Sequence, residues 1–316
     1  MTGRDYRIIA IIAQHHNHGA KSGGFMKIGF IGLGKMGRVM APHLAPKARQ
    51  LIGFDPNWQM PDDSPVQRAD TLSDIASCEL IFTMLPDGAV VLKVISHLLE
   101  AGSNALFVDM SSCHPDTSAQ LDQLLAPSGR RALDAPVSGG VAKADKGQLM
   151  IMAGGSAADF GHAAPYLNLM GTAAHIGPGG AGYAMKALNN YVSAAGLVSS
   201  FQALATAQKF GITPHAFQQI INGSTGRNNT TEVKIDKFVI PKTYDSGFAL
   251  NLMAKDVAIA SDIITQNGFT LPLNQPLADY LKQALIELGG DPDHTEIYRH
   301  LENLATAAQP KQNNSR

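Results

Sequence analysis

Three glycines spaced G-x-G-x-x-G (Gly32, Gly34 and Gly37) follow an apolar run at 27–31 and open a helical pattern at 38–44. This order suits a dinucleotide pyrophosphate. The first glycine allows a tight turn, the second lets the backbone approach the phosphates, and the third lets helix and strand pack closely. The helix N-terminus adds N–H groups and the positive end of its dipole. Gly32, Leu33, Gly34, Met36 and Gly37 are the cofactor-binding positions expected in this loop. Asp55 stands about 20 residues on, after a second apolar run. A carboxylate there accepts hydrogen bonds from a ribose diol and repels a 2′-phosphate. Pro56, Asn57 and Trp58 bring no cation for such a phosphate, although Arg68 lies further along. The residues therefore favour NAD over NADP.

Such a loop needs a sheet behind it. Short apolar runs at 27–31, 51–54, 80–84, 105–109, 131–134, 149–153 and 173–176 alternate with amphipathic or Gly/Pro-marked stretches. That alternation predicts parallel strands joined by crossover helices. Beyond Gly182 helix-period segments take over, at 183–211, 214–222, 230–239, 248–267 and 276–288. The expected fold is an α/β Rossmann-type doubly wound domain at 26–181. An all-α C-terminal domain at 182–307 follows, entered through a long interdomain helix. Residues 1–25 read as a disordered extension, since the apolar patch at 8–13 is too short for a signal peptide. Residues 308–316 read as a frayed tail.

Composition excludes several function classes. Apolar residues make up 45% of the 316, enough for sizeable cores, and 25 basic against 26 acidic residues leave a net charge of −1. That balance gives no electrostatic footprint for nucleic acid or an anionic membrane. No apolar run reaches the ~18–20 residues of a membrane span. Two cysteines, Cys78 and Cys113, make neither a disulfide framework nor a zinc site. A reducing, cytoplasmic setting is expected. The histidines are scattered and no metal site is expected, while the absence of a G-x-S-x-G elbow argues against an α/β-hydrolase.

Four segments in order carry a resemblance: GFIGLGKMG at 29–37, DAPVSGG at 134–140, GYAMKALNN at 182–190 and LMAKD at 252–256. Together they resemble the β-hydroxyacid dehydrogenase family, which includes 3-hydroxyisobutyrate dehydrogenases, tartronate semialdehyde reductases and, more distantly, 6-phosphogluconate dehydrogenases. The similarity runs from about Met26 to about Ala305. It implies a nicotinamide-dependent enzyme acting on a small hydroxyacid between the two domains. The helical domain would assemble a homodimer or homotetramer. It also implies that Met84, Leu85 and Pro86 pass the nicotinamide side of the cofactor, with Ser112 near the nicotinamide ribose. Lys255 becomes a second cleft lysine beside the nicotinamide or its ribose. Ser112 stands where the family usually has Thr, and Cys113 where an apolar residue is commoner.

Hydroxyacid oxidation needs a group to take the hydroxyl proton and a group to hold the carboxylate. Lys186 suits the first, in an apolar stretch that matches the family. A lysine titrates near ~10.4 unless burial lowers it, and burial beside a dinucleotide would bring it near working pH. Asn190, four residues on, shares its helix face and is expected to touch the substrate or orient the lysine. Ser138, Gly139 and Gly140 offer a hydroxyl and two unhindered N–H groups for the carboxylate. In GSTGRNNTTE, Asn228 and Asn229 replace an aromatic that 3-hydroxyisobutyrate dehydrogenases tend to carry. A buried unpaired amide costs roughly 1–3 kcal/mol. Asn229 is therefore expected at the substrate, which would be a more polar acid of glycerate, threonate or tartronate type. Rival readings are an NADPH-dependent semialdehyde or glyoxylate reductase, an imine reductase of the same fold, and a non-catalytic dinucleotide-binding regulator.

Overall fold

The computed structural model describes residues 25–58, 60–269 and 272–307. The expectations for 1–24 and 308–316 lie outside these residues. The chain divides into two compact units, Met1–Lys186 and Ala187–Arg316.

The first unit is built on a nine-stranded sheet in the order β3-β2-β1-β4-β5-β6-β8-β7, with β9 beside β8. The strands are β1 (Met26–Ile31), β2 (Ala48–Phe54), β3 (Gln67–Arg68), β4 (Leu80–Thr83), β5 (Leu106–Asp109), β6 (Arg131–Asp134), β7 (Val137–Ser138), β8 (Leu149–Gly154) and β9 (Gly171–Gly177). β1 to β6 run parallel. Alternation of side chains gives each strand two apolar faces, as a sheet covered on both sides requires. Ile28, Phe30, Leu80, Phe82 and Val108 join Leu33 and Met40 on one face. Ile31, Ile81 and Phe107 join Val91, Ile95 and Tyr183 on the other.

The expectation of an all-parallel sheet needs correction at β8, which runs antiparallel to both β6 and β7. Between β6 and β8 the chain forms only the two-residue β7 and the six-residue helix Gly140–Asp145. That is too little for a helical crossover covering the sheet, so the chain turns back. The helix expected at 38–44 is also modified. It is α-helical only over Gly37–Met40 and continues as a 3₁₀ turn over Ala41–Lys47. Pro42 and Pro46 carry no N–H for an α-helical ladder there.

The long helix Ala181–Lys209 has 29 residues, roughly 43 Å of axis. In the second unit follow helices Pro214–Asn222, Leu250–Gln266, Asn274–Leu288 and Ile297–Ala307, with a π-helical segment at Thr230–Val239. Their core gathers Phe201, Leu204, Ile235, Met253, Val257, Leu281 and Tyr298. The final helix was not among the sequence expectations. Asp293 starts the turn before it by accepting from the Thr295 N–H at 2.9 Å.

Candidate functional site

The glycine loop divides its labour in a way the spacing alone cannot show. Gly32 has φ +91°, and a Cβ there would lie 2.2 Å from the Met84 carbonyl oxygen. A Cβ on Gly37 would lie 1.9 Å from the carbonyl oxygen of Gly32. Both glycines are fixed by backbone contact. At Gly34 an added Cβ meets nothing within 4 Å. The middle glycine faces open space, which is the room a pyrophosphate against the backbone would take. Leu33 lies buried under this loop.

Asp55, half-buried just after β2, holds the loop. Its Oδ2 accepts the Leu33 N–H at 2.7 Å and its Oδ1 accepts the Asn57 N–H at 2.7 Å. Each oxygen keeps a lone pair for a further donor, so the carboxylate fits a ribose diol. Arg68 is nearer than its sequence position suggests. Its strand pairs with β2 with Arg68 opposite Gly53, and its guanidinium stacks 5.7 Å over the Trp58 ring.

Met84, Leu85 and Pro86 follow β4. The Met84 N–H donates to Ile31 O at 2.9 Å, and the Leu85 N–H donates to Ser111 Oγ at 2.8 Å. Ser112 is half-buried beside Ser111. Behind this loop stands a residue that sequence reasoning missed. Asp109, fully buried at the end of β5, accepts from Thr83 Oγ1 at 2.5 Å, Ser111 Oγ at 2.6 Å, Tyr183 Oη at 2.5 Å and Cys113 Sγ at 3.7 Å. Burial pushes its carboxyl pKa up, and the hydroxyl donors oppose the shift. The available signal was an acid ending an otherwise apolar strand, LFVD.

Asp134, the register partner of Asp109 on β6, holds the entry to the long helix. It accepts the N–H of Gly180 at 2.7 Å and of Tyr183 at 3.0 Å. Burial raises its pKa as well, opposed by those donors. Lys186 follows three residues after Tyr183 and is 8% exposed. Ser138 sits half-buried in β7, and Gly139 and Gly140 are exposed with φ of +143° and +67°. Such backbone angles need glycine, so the two N–H groups come without side chains.

In the second unit Asn190 is 7% exposed and its Nδ2 donates to Asp256 Oδ2 at 2.6 Å. Asn189 Nδ2 donates to Asn190 Oδ1 at 3.1 Å. Asp256, to which the sequence reading gave no chemistry, orients this amide, and Lys255 beside it is half-buried. The neighbouring amides Asn228 and Asn229 stand in different surroundings. Asn228 Oδ1 accepts the Thr230 N–H at 2.8 Å, and its Nδ2 donates to Ser200 Oγ at 2.9 Å. That amide is occupied in starting the π-helical segment. Asn229 is exposed and carries no desolvation cost to be offset. Among the described residues, no three His, Cys, Asp or Glu side chains are grouped to hold a metal, and no helix is long and apolar enough to cross a membrane.

Residues 27–179 match the model of the NAD binding domain of 6-phosphogluconate dehydrogenase. Residues 180–301 match that described as NAD-binding of NADP-dependent 3-hydroxyisobutyrate dehydrogenase. The chain is 32% identical to the mitochondrial 3-hydroxyisobutyrate dehydrogenase of Drosophila melanogaster, over 87% of this chain and 89% of that one. The chain belongs to the 3-hydroxyisobutyrate dehydrogenase family. It is an NAD(P)-dependent oxidoreductase of the hydroxyacid dehydrogenase type. It is also 34% identical to 2-(hydroxymethyl)glutarate dehydrogenase of Eubacterium barkeri, over 78% of this chain and 85% of that one. Among solved structures, a Mycobacterium tuberculosis 3-hydroxyisobutyrate dehydrogenase with L-serine superposes with a TM-score of 0.80 at 29% identity, covering 88% of this chain and 99% of that one.

Proposed function

We propose that this enzyme interconverts short acids of the form HOCH₂–CH(R)–COO⁻ with the corresponding semialdehydes, using NAD and Lys186 as general acid and base. The observation that carries the reading is Lys186 itself, a buried lysine four residues before Asn190 on one helix face. A neutral Lys186 can accept the carbinol proton in oxidation and return it in reduction. When bound, the dinucleotide supplies the hydride acceptor or donor. Ser138 and the N–H groups of Gly139 and Gly140 hold the carboxylate. Asn190, aimed by Asp256, positions the hydroxyl. Met84–Pro86, Ser112 and Lys255 border the nicotinamide and its ribose.

The skeleton is read from the relatives. 3-Hydroxyisobutyrate, 2-(hydroxymethyl)glutarate and L-serine all place a primary alcohol β to a carboxylate and differ in R: a methyl, a carboxyethyl and an ammonium group. NAD is favoured because a carboxylate at the end of the second long strand, held by the Leu33 and Asn57 N–H groups, suits a ribose diol and would repel a 2′-phosphate. The exposed apolar residues Phe210, Ile212, Ile220 and Ile286 in the second unit support association of like chains, and two buried free thiols suit a reducing cytoplasm. Dinucleotide binding falls to 26–181, and substrate binding and oligomerisation to 182–307.

The test is initial-rate reduction of NAD⁺ and NADP⁺ with 3-hydroxyisobutyrate, L-serine and 2-(hydroxymethyl)glutarate. Turnover of at least one, with NAD⁺ preferred at least about tenfold in kcat/KM, is expected; that ratio is ~1.4 kcal/mol. Turnover of none of the three, or a preference for NADP⁺, overturns the corresponding half of the proposal.

A further inference from the structure

The geometry points to Asp109 as a positioning residue that locks the Met84–Pro86 loop and the first turn of the Lys186 helix into one register. A carboxylate has about four lone-pair sites, and all four are used here. Oδ1 takes the hydroxyls of Thr83 and Ser111, and Oδ2 takes Tyr183 Oη and Cys113 Sγ. Ser111 Oγ in turn accepts the Leu85 N–H. Two side chains, Ser111 and Asp109, therefore join the backbone of the loop to the phenol at the start of the helix.

Asp134 completes the clamp from the neighbouring strand, since it takes the backbone N–H of the same Tyr183 and of Gly180. Tyr183 is thus fixed at its amide by β6 and at its ring tip by β5. Lys186 lies three residues on, about 4.5 Å along the axis and on the neighbouring helix face. A tilt of the first turn carries the Lys186 side chain with it. The cost of Asp109 argues for such a role. A fully buried carboxylate is expensive to desolvate, and an apolar residue would continue the Leu106-Phe107-Val108 run without that penalty. What the carboxylate contributes is a fixed meeting point for four donors from three segments: Thr83, the turn carrying Ser111 and Cys113, and Tyr183.

This assignment rests on the reading of Lys186 as the acid–base group, so the test separates the two. Tyr183→Phe, Asp109→Asn, the double variant and Lys186→Ala are compared with the parent as full chains. Hydrogen exchange followed by mass spectrometry needs no substrate. Tyr183→Phe, which removes one oxygen, is expected to speed exchange about tenfold at the Met84 and Leu85 amides as well as over residues 180–186. Asp109→Asn does the same, and the double variant adds nothing to it. With whichever of the three acids turns over, kcat falls roughly 10–100-fold, as a misplacement near 1 Å would cause. NADH affinity stays within about threefold.

Faster exchange confined to residues 180–186 in Tyr183→Phe, or spread evenly over the sheet with kcat and NADH affinity falling together, overturns the positioning role. If Asp109→Asn fails to fold, Tyr183→Phe decides alone. Should Lys186→Ala keep its turnover, the lysine reading fails whatever the exchange shows. A dead Lys186→Ala beside a Tyr183→Phe indistinguishable from the parent sinks only the role of Asp109.

Discussion

Alanine at Gly34 and alanine at Gly37 should have opposite consequences, although both break the same motif. At Gly37 the new Cβ would start 1.9 Å from the Gly32 carbonyl oxygen, against about 3.4 Å for an ordinary carbon–oxygen contact. The difference, about 1.5 Å, must come from backbone movement between loop and helix. Forced shifts of that size in a buried element belong with the larger destabilisations, about 3 kcal/mol or more. At Gly34 the Cβ meets no protein atom within 4 Å. Replacing a glycine with compatible φ/ψ removes unfolded-state freedom and stabilises by about 0.4–1 kcal/mol, roughly 1–4 °C in Tm. The same methyl occupies the space assigned to the pyrophosphate, so dinucleotide affinity should fall about 10–100-fold, or ~1.4–2.7 kcal/mol. Thermal unfolding followed by circular dichroism, with NADH titration by fluorescence, measures both quantities on each variant. A Gly34→Ala protein that binds NADH within twofold of the parent refutes the placement. So does a Gly37→Ala protein as stable as the parent.

Three further outcomes follow from named contacts. Burial pulls the Lys234 ammonium from 10.5 down to about 8, opposed by Asp293. The native state therefore carries the cost of a buried charge below pH 8, and stability from this group rises as pH climbs from about 8 towards 10.5. Lys234→Met should stabilise the protein at pH 7 by on the order of 2–4 kcal/mol, with the advantage shrinking above pH 8. A gain in Tm that does not change with pH counts against this. Asp55→Asn removes the charge facing a 2′-phosphate and should lower the NAD/NADP ratio of kcat/KM about tenfold, ~1.4 kcal/mol. An unchanged ratio means that Asp55 does not read the ribose. Asp256→Asn leaves the Asn190 amide without its charged acceptor and should cut kcat roughly tenfold at unchanged NADH affinity; steady-state kinetics beside NADH titration decides it.

What the sequence disclosed was local. The glycine loop, Asp55 and the strands β1, β2, β4, β5 and β6 are written in consecutive residues, because strand, turn and helix form from neighbours. Asp109 escaped notice because its donors come from positions 83, 111, 113 and 183, and only the sheet brings them together. The reversal at β8 depends on how little structure lies between β6 and β8, which periodicity does not weigh. β3 was passed over because two residues make no pattern, yet it sets Arg68 beside β2. Asn228 shows the same limit. Its amide was weighed against a substrate, whereas its partners are Thr230 and, 28 residues earlier, Ser200.

The central claim is that Lys186 moves the proton while other parts of the chain bind the dinucleotide. Its most direct measurement is the pair of constants, kcat/KM for the preferred acid and Kd for NADH, in Lys186→Ala against the parent. General acid–base catalysis is worth about 10²–10⁴-fold. The account expects kcat/KM to fall by at least about 10²-fold while the NADH Kd stays within about threefold. A variant that keeps more than about a tenth of its turnover, or one that loses activity only because NADH no longer binds, contradicts it.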